Sequence, residues 1–155
     1  MLKIIQAVEA GQIEQTRVLF HEYQSWLGLS LCFQNFEAEL AELPGRYAAP
    51  DGRLLLALSD EKPAGCIALR KLEENVCEMK RLYVRDEFRG QGIGVSLIEK
   101  LLEEARRIGY GKIRLDTLPT KMGKAVALYE SYGFREIAPY YDNPFGETLY
   151  MEMDL

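Results

Sequence analysis

From Gln12 to Leu27 the apolar residues Ile13, Phe20, Tyr23 and Leu27 fall near helical spacing with polar residues between them, which predicts an amphipathic helix. A shorter helix is expected from Gln34 to Leu43, stopped by Pro44-Gly45. Ahead of both, Lys3 to Val8 reads as a short strand. The pattern then changes. Arg53 to Ser59 and Lys62 to Leu72 are apolar runs of strand length, with Asp60-Glu61-Lys62-Pro63 marking a hairpin, and Cys77 to Val84 adds a third antiparallel member.

Beyond Val84, strands and helices alternate. Gly92 to Ile108 places Ile93, Leu97, Ile98, Leu101, Leu102 and Ala105 on one helical face. Glu99, Lys100, Glu103, Glu104, Arg106 and Arg107 take the other, and Gly109 sits where a helix stops. Lys112 to Thr117 reads as a strand, Lys121 to Tyr132 as a helix ending at Gly133, and Phe134 to Ile137 and Glu147 to Asp154 as closing strands. The strand–helix–strand unit from Cys77 to Thr117 is a crossover, so its two strands are expected to be parallel neighbours. A mixed sheet with helices packed on it follows.

Composition narrows the function classes. A chain of 155 residues supports one domain with a full core and is short for two. A net charge of −5 argues against broad nucleic-acid binding, which needs a basic face. Cys32, Cys66 and Cys77 form no CxxC pair and have no nearby histidine, so no metal site is expected. Scattered, odd-numbered thiols fit a reducing cytoplasm. No apolar run approaches the ~20 residues of a membrane span. The stretch Met1 to Glu9 lacks the features of a signal peptide. The expectation is a soluble, cytoplasmic protein with neither membrane nor nucleic acid as partner.

The chemistry concentrates after Val84. Arg85-Asp86-Glu87-Phe88 leads into Arg89-Gly90-Gln91-Gly92-Ile93-Gly94, which opens the long helix. Glycines there let successive amide N–H groups point at one spot, and the helix N-terminus adds unpaired donors and its positive dipole end. Arg89 adds a formal charge, and together these make a pocket for a diphosphate. Val95 stands where a dinucleotide loop needs its third glycine, and no Gly-Lys-Ser/Thr follows as in a Walker loop.

With these residues the sequence resembles the GNAT family of N-acetyltransferases. The family's Arg/Gln-x-x-Gly-x-Gly/Ala is matched by Arg89, Gly92 and Gly94, and its Ala-x-x-Leu-Tyr-x-x-x-Gly-Phe by the stretch Ala125 to Phe134. The likeness is close from Arg53 to Leu155 and an outline only from Lys3 to Leu43. It implies an α+β fold, an α/β/α sandwich around a mixed, mostly antiparallel sheet of about six or seven strands. It also implies acetyl-CoA as cosubstrate, contacted by Leu82, Tyr83, Val84, Arg89, Gly90, Gln91, Gly92, Ile93, Gly94 and Val95. Many members carry an asparagine seven residues before the motif tyrosine; here Met122 stands there.

The resemblance places the pantetheine arm along the strand ending at Val84. Back to Lys80 that strand spans roughly 13 Å at ~3.3 Å per residue, about the reach from diphosphate to sulfur. An alkylamine of pKa ~10.4 is only about 0.04% neutral at pH 7, so a base or a water relay is needed. A strand amide near Leu82 would serve the developing oxyanion. Tyr129, at the family's tyrosine position, is the candidate acid for the departing thiolate; its alternative is packing against the cofactor. Glu78 is the candidate base, or else a carboxylate neutralised by Lys80 or Arg81. Gln34, Tyr140, Tyr141 and Asn143 are candidate acceptor contacts, and Phe33 and Phe36 raise the same question. His21, the one histidine, reads as a surface residue. The expected reaction is acetyl transfer to a primary amine, of a small molecule or of a protein, by direct attack in a ternary complex. A homodimer is compatible with it. The competing class is a non-catalytic acyl-CoA sensor.

Overall fold

The chain runs β1 (Leu2–Gln6), α1 (Ala10–Leu27), α2 (Phe36–Glu42), β2 (Arg53–Ser59), β3 (Lys62–Glu73), β4 (Val76–Val84), α3 (Ile93–Ile108), β5 (Lys112–Thr117), α4 (Pro119–Tyr132), β6 (Arg135–Ile137) and β7 (Leu149–Asp154). This is a computed structural model, and it describes residues 1–28 and 35–155. Gln34, Phe33 and Cys32 lie outside the described residues.

The seven strands form one sheet in the order β1-β2-β3-β4-β5-β7-β6. β4 and β5 pair in parallel, as the crossover predicts, and every other pairing is antiparallel. The β2–β3 hairpin turns on Asp60 and Glu61, both left-handed at φ 48° and 70°, with Ser59 opposite Lys62. That is the two-residue turn whose twist suits flanking strands.

Apolar faces on both sides of the sheet explain the layers. Leu55, Ala57, Ile67, Leu69, Cys77 and Met79 pack beneath α3 and Tyr129 of α4. Leu54, Leu56, Cys66 and Ala68 face the other way, under Leu19 and Phe20 of α1 and Phe36 and Leu40 of α2. All six predicted face residues of α3 are buried. Glu104 departs from the predicted polar face: it is buried too, because Arg53 at 2.9 Å and Arg107 at 2.7 Å neutralise its carboxylate.

Strict alternation fails in β4. Arg81 is left-handed at φ 61°, and the register passes from Ala68↔Lys80 to Cys66↔Tyr83, so Arg81 and Leu82 together oppose Ile67. This is a β-bulge. Met79 before it and Leu82 and Val84 after it all face the α3 side. The strand is also released from β5: the parallel ladder ends at Glu78↔Arg114, and Leu115 to Thr117 pair with β7 alone. A gap opens between the second half of β4 and the end of β5.

Gly65 in β3 lies against this same stretch. A Cβ there would stand 2.6 Å from the Tyr83 carbonyl oxygen and 3.3 Å from the Val84 Cα. Gly65→Ala is therefore expected to destabilise the protein by about 1–3 kcal/mol. Calorimetry should show Tm lowered by roughly 2–12 °C. An unchanged Tm would mean that β3 and β4 part without strain.

Candidate active site

The loop after β4 folds as a single 3-10 turn at Asp86–Phe88, then Arg89, then two left-handed glycines, Gly90 at φ 81° and Gly92 at φ 78°. Nothing lies within 4 Å of a Cβ built on either, so glycine is demanded there by backbone conformation rather than by crowding. Gly92 caps α3 without a side-chain hydrogen bond, and no acidic residue occupies the first turn of the helix. The first internal bond of the helix is Ser96 N–H to the Gly92 carbonyl at 3.0 Å. The amides of Ile93, Gly94 and Val95 thus belong to the set that a helix leaves for an outside acceptor.

These residues line a groove of about 400 Å³ that runs from Gly90 along Tyr83 and Val84 to Tyr129, with Trp26, Met122 and Leu128 on its other walls. Leu82, Tyr83, Val84, Arg89, Gly90, Gly92, Ile93, Gly94 and Val95 all take part. Gln91 does not; it is exposed beside the glycines. Arg89 is pinned at the margin. Its Nε donates to the Val84 carbonyl at 2.9 Å, its Nη1 pairs with Asp86 at 2.5 Å, and its guanidinium lies 5.1 Å over the Trp26 ring.

At Tyr129, Leu82 and Met122 the groove meets a narrow chamber set in the gap between β4 and β5. Lys80 and Arg81, placed side by side by the bulge, form one wall; Asp116 and Thr117 of β5 form another, and Tyr23 and Asn143 border it. Met122 breaks the helical geometry of α4 (φ −130°, ψ 37°), and its sulfur receives the Thr117 hydroxyl at 3.4 Å.

Tyr129 is buried against Phe134, ring centroids 5.6 Å apart. Burial first, then the neighbouring Tyr23 and Asp116, push its hydroxyl well above the ordinary phenol value. The hydroxyl therefore keeps its proton at neutral pH. Tyr23 is raised to about 12, chiefly by burial, with Arg81 opposing.

Glu78 lies outside the chamber lining, fully buried. Arg70 Nε donates to one of its oxygens at 2.8 Å and the Tyr140 hydroxyl to the other at 2.6 Å. Arg70, across the β3–β4 pair, is thus its hydrogen-bonded partner, and Lys80, one of the two cations expected to neutralise it, acts on it as a nearby charge. Burial raises the carboxyl pKa, but the charges of Lys80 and Arg70 and the two hydrogen bonds outweigh it, leaving Glu78 below the usual range. A depressed carboxylate stabilises the fold above its unfolded value near 4.3, and that contribution fades as pH falls through the folded value. Tyr140→Phe is expected to cost about 1–3 kcal/mol near neutral pH by removing one donor. Urea unfolding should find the deficit smaller near pH 3; a deficit equal at both pH values would separate Tyr140 from the ionisation of Glu78.

The aromatic loop after β6 makes a matching contact with β5. Tyr140, Tyr141 and Tyr150 pack edge to face at 5.4–5.5 Å, and Tyr141 donates its hydroxyl to Asp116. Asn143 Nδ2 donates to that hydroxyl at 3.1 Å and lines the chamber. Tyr140 and Tyr141 stand behind the wall instead, as donors to its carboxylates. Phe36 lies under the Arg81 guanidinium at 5.1 Å. His21 is exposed on α1.

The sequence alone singles out neither Asp116, Thr117 and Tyr23 nor Lys80 and Arg81 as the lining of one chamber. A signal existed in two adjacent cations within an apolar strand and a carboxylate near the end of another.

Residues 15–134 match the model of the acetyltransferase (GNAT) family. Among curated proteins the chain is similar to an uncharacterized N-acetyltransferase of Schizosaccharomyces pombe, 39% identical over 97% of this chain and 94% of that protein. It is also similar to an uncharacterized N-acetyltransferase of Dictyostelium discoideum, 35% identical over 93% of this chain and 94% of that protein. In fold it resembles the PaiA N-acetyltransferase of Thermoplasma acidophilum, solved in complex with coenzyme A, with a TM-score of 0.75 and 20% identity over 100% of this chain and 99% of that one.

Proposed function

This chain belongs to the GNAT family of acetyltransferases, and from that premise we propose that it moves an acetyl group from acetyl-CoA to a primary amine of a small molecule, by direct attack in a ternary complex. The observation that carries the reading is the continuity of the groove at Gly90–Val95 with the chamber at Lys80 and Asp116, the two meeting at Tyr129.

The groove suits coenzyme A on three counts. Left-handed glycines with open space beside them, together with the free amides of α3, fit a diphosphate. Leu82, Val84, Ile98 and Leu128 provide an apolar lining for a flexible arm. The released edge of β4 leaves backbone groups for that arm to bond. Acetyl-CoA supplies the electrophilic thioester carbon.

The chain's own residues then have three tasks. The ammonium must shed one proton before nitrogen can attack. An amide at the bulge, near Leu82, receives the charge that gathers on the carbonyl oxygen. Tyr129 donates its proton to sulfur as the C–S bond breaks, and the second proton lost by nitrogen replaces it. Ammonium and thioester become amide, thiol and one free proton. Because burial makes Tyr129 a reluctant acid, its transfer must keep step with bond cleavage. For Glu78 we propose an anchoring role: it holds Arg70 and Tyr140 in the wall.

Acetyl-CoA consumption with a panel of small amines tests the proposal. Turnover with at least one of them is expected. Saturable coenzyme A binding with no turnover on any amine would favour the sensor.

A further inference from the structure

Trp26, the one tryptophan of the chain, stands near the end of α1 and is the only described residue of α1 that lines the groove. Tyr23 and Leu27, on the same turn, line the chamber instead. One turn of helix thus borders both cavities. We propose that Trp26 binds the acyl donor, its indole lying along the pantetheine arm of acetyl-CoA and closing the groove opposite α4. This rests on reading the groove as the coenzyme A site.

Three observations converge. The first is position. Trp26 packs on the α1 side of the sheet, whereas Ala125 and Leu128 of α4 pack on the α3 side. All three line the same groove, so it passes between them along the edge of β4 that β5 has released. An arm bonded to that edge has α4 on one flank and the indole on the other.

The second is that the ring is fixed in advance. The Arg89 guanidinium lies 5.1 Å from the centre of the Trp26 ring and 5.9 Å from that of Tyr83, and the two rings are 6.3 Å apart. Arg89 is itself bonded to the Val84 carbonyl. One turn earlier on α1, Glu22 accepts from Arg85 at 2.9 and 2.7 Å, which ties the helix to the end of β4. A ring held this way, with a cation against its face, gives up little freedom when a ligand arrives.

The third is chemistry. Trp26 is only half-buried, which leaves apolar ring surface to be covered. The pantetheine arm is an uncharged chain of methylenes and amides. The β4 edge can bond its amides, and the indole and Leu128 can cover its methylenes. With Tyr23 and Leu27 on the same turn, an arm seated on Trp26 is set in register with the chamber.

The native protein carries its own reporter, because Trp26 is its one indole. Saturation with coenzyme A is expected to shift the tryptophan emission and to shield it from quenching by acrylamide, with the affinity that calorimetry gives. Trp26→Ala should weaken coenzyme A binding by at least about tenfold. Trp26→Phe, which keeps a ring for both the arm and the guanidinium, should recover most of that loss. Native affinity in Trp26→Ala, or quenching unchanged while calorimetry shows coenzyme A bound, overturns the proposal and leaves the groove as the donor site. If the native protein does not bind coenzyme A at all, the groove is not the donor site and the proposal falls with it. Should Trp26→Ala not fold, shielding of the native indole alone decides the matter.

Discussion

Tyr129→Phe is expected to lower kcat by about 100- to 10,000-fold while leaving coenzyme A affinity within about threefold. The substitution removes one oxygen from a side chain whose ring stays packed on Phe134 at 5.6 Å, so the groove keeps its shape. What is lost is, among the described residues that groove and chamber share, the one side-chain hydroxyl, its proton held by burial. Without it the sulfur must leave as a thiolate into an apolar surrounding, and that penalty falls on the chemical step alone. Stopped-flow or steady-state release of thiol, set beside calorimetric binding of coenzyme A, separates the two effects. A kcat within a few-fold of native would reduce Tyr129 to a packing residue.

Glu39→Gln should have the largest effect on stability. Arg81 is buried at the bulge and Glu39 on α2 supplies both oxygens to its guanidinium, the two side chains being 2% and 14% exposed. Removing the negative partner strands a buried cation, a loss of about 3–5 kcal/mol. For a chain of this size that is a fall in Tm of roughly 6–20 °C. Replacing both members with apolar residues should recover much of the loss, because the penalty lies in the unpaired charge and not in the absent pair. The same pair holds the bulge that places Lys80 and Arg81 on one wall, so acetyl transfer by the single variant should fall more than coenzyme A affinity does. Calorimetric unfolding of the two variants checks the first claim; a single variant as stable as native would show that water reaches Arg81.

Much of this was legible in the chain because local rules and tertiary packing agree there. The apolar face of α3, the glycines at its mouth and the crossover from β4 to β5 all follow from periodicity and helix-end chemistry. Elsewhere the determining partners lie far away in sequence. Cys77 to Lys80 alternates and the second cation, Arg81, breaks the alternation, but the partner that holds Arg81 in its left-handed turn, Glu39, is 42 residues away. An unbroken pleat puts Glu78 beside the thioester as a candidate base, and the bulge at Arg81 breaks that pleat. Its carboxylate is instead bonded by Arg70 and Tyr140, from neighbouring elements that the strand's own residues do not announce. Asp116 was passed over for the complementary reason: one carboxylate in a strand is ordinary until the splay of β4 from β5 turns it toward open space.

Backbone amides and left-handed glycines at the mouth of α3 are expected to hold a diphosphate. Calorimetric titration of the protein with coenzyme A and, separately, with pantetheine, which shares the arm but lacks the diphosphate, tests it most directly. Saturation by coenzyme A with one site per chain, and affinity for pantetheine weaker by at least about 100-fold, is the expected result. No binding of coenzyme A, or equal binding of the two, would contradict it.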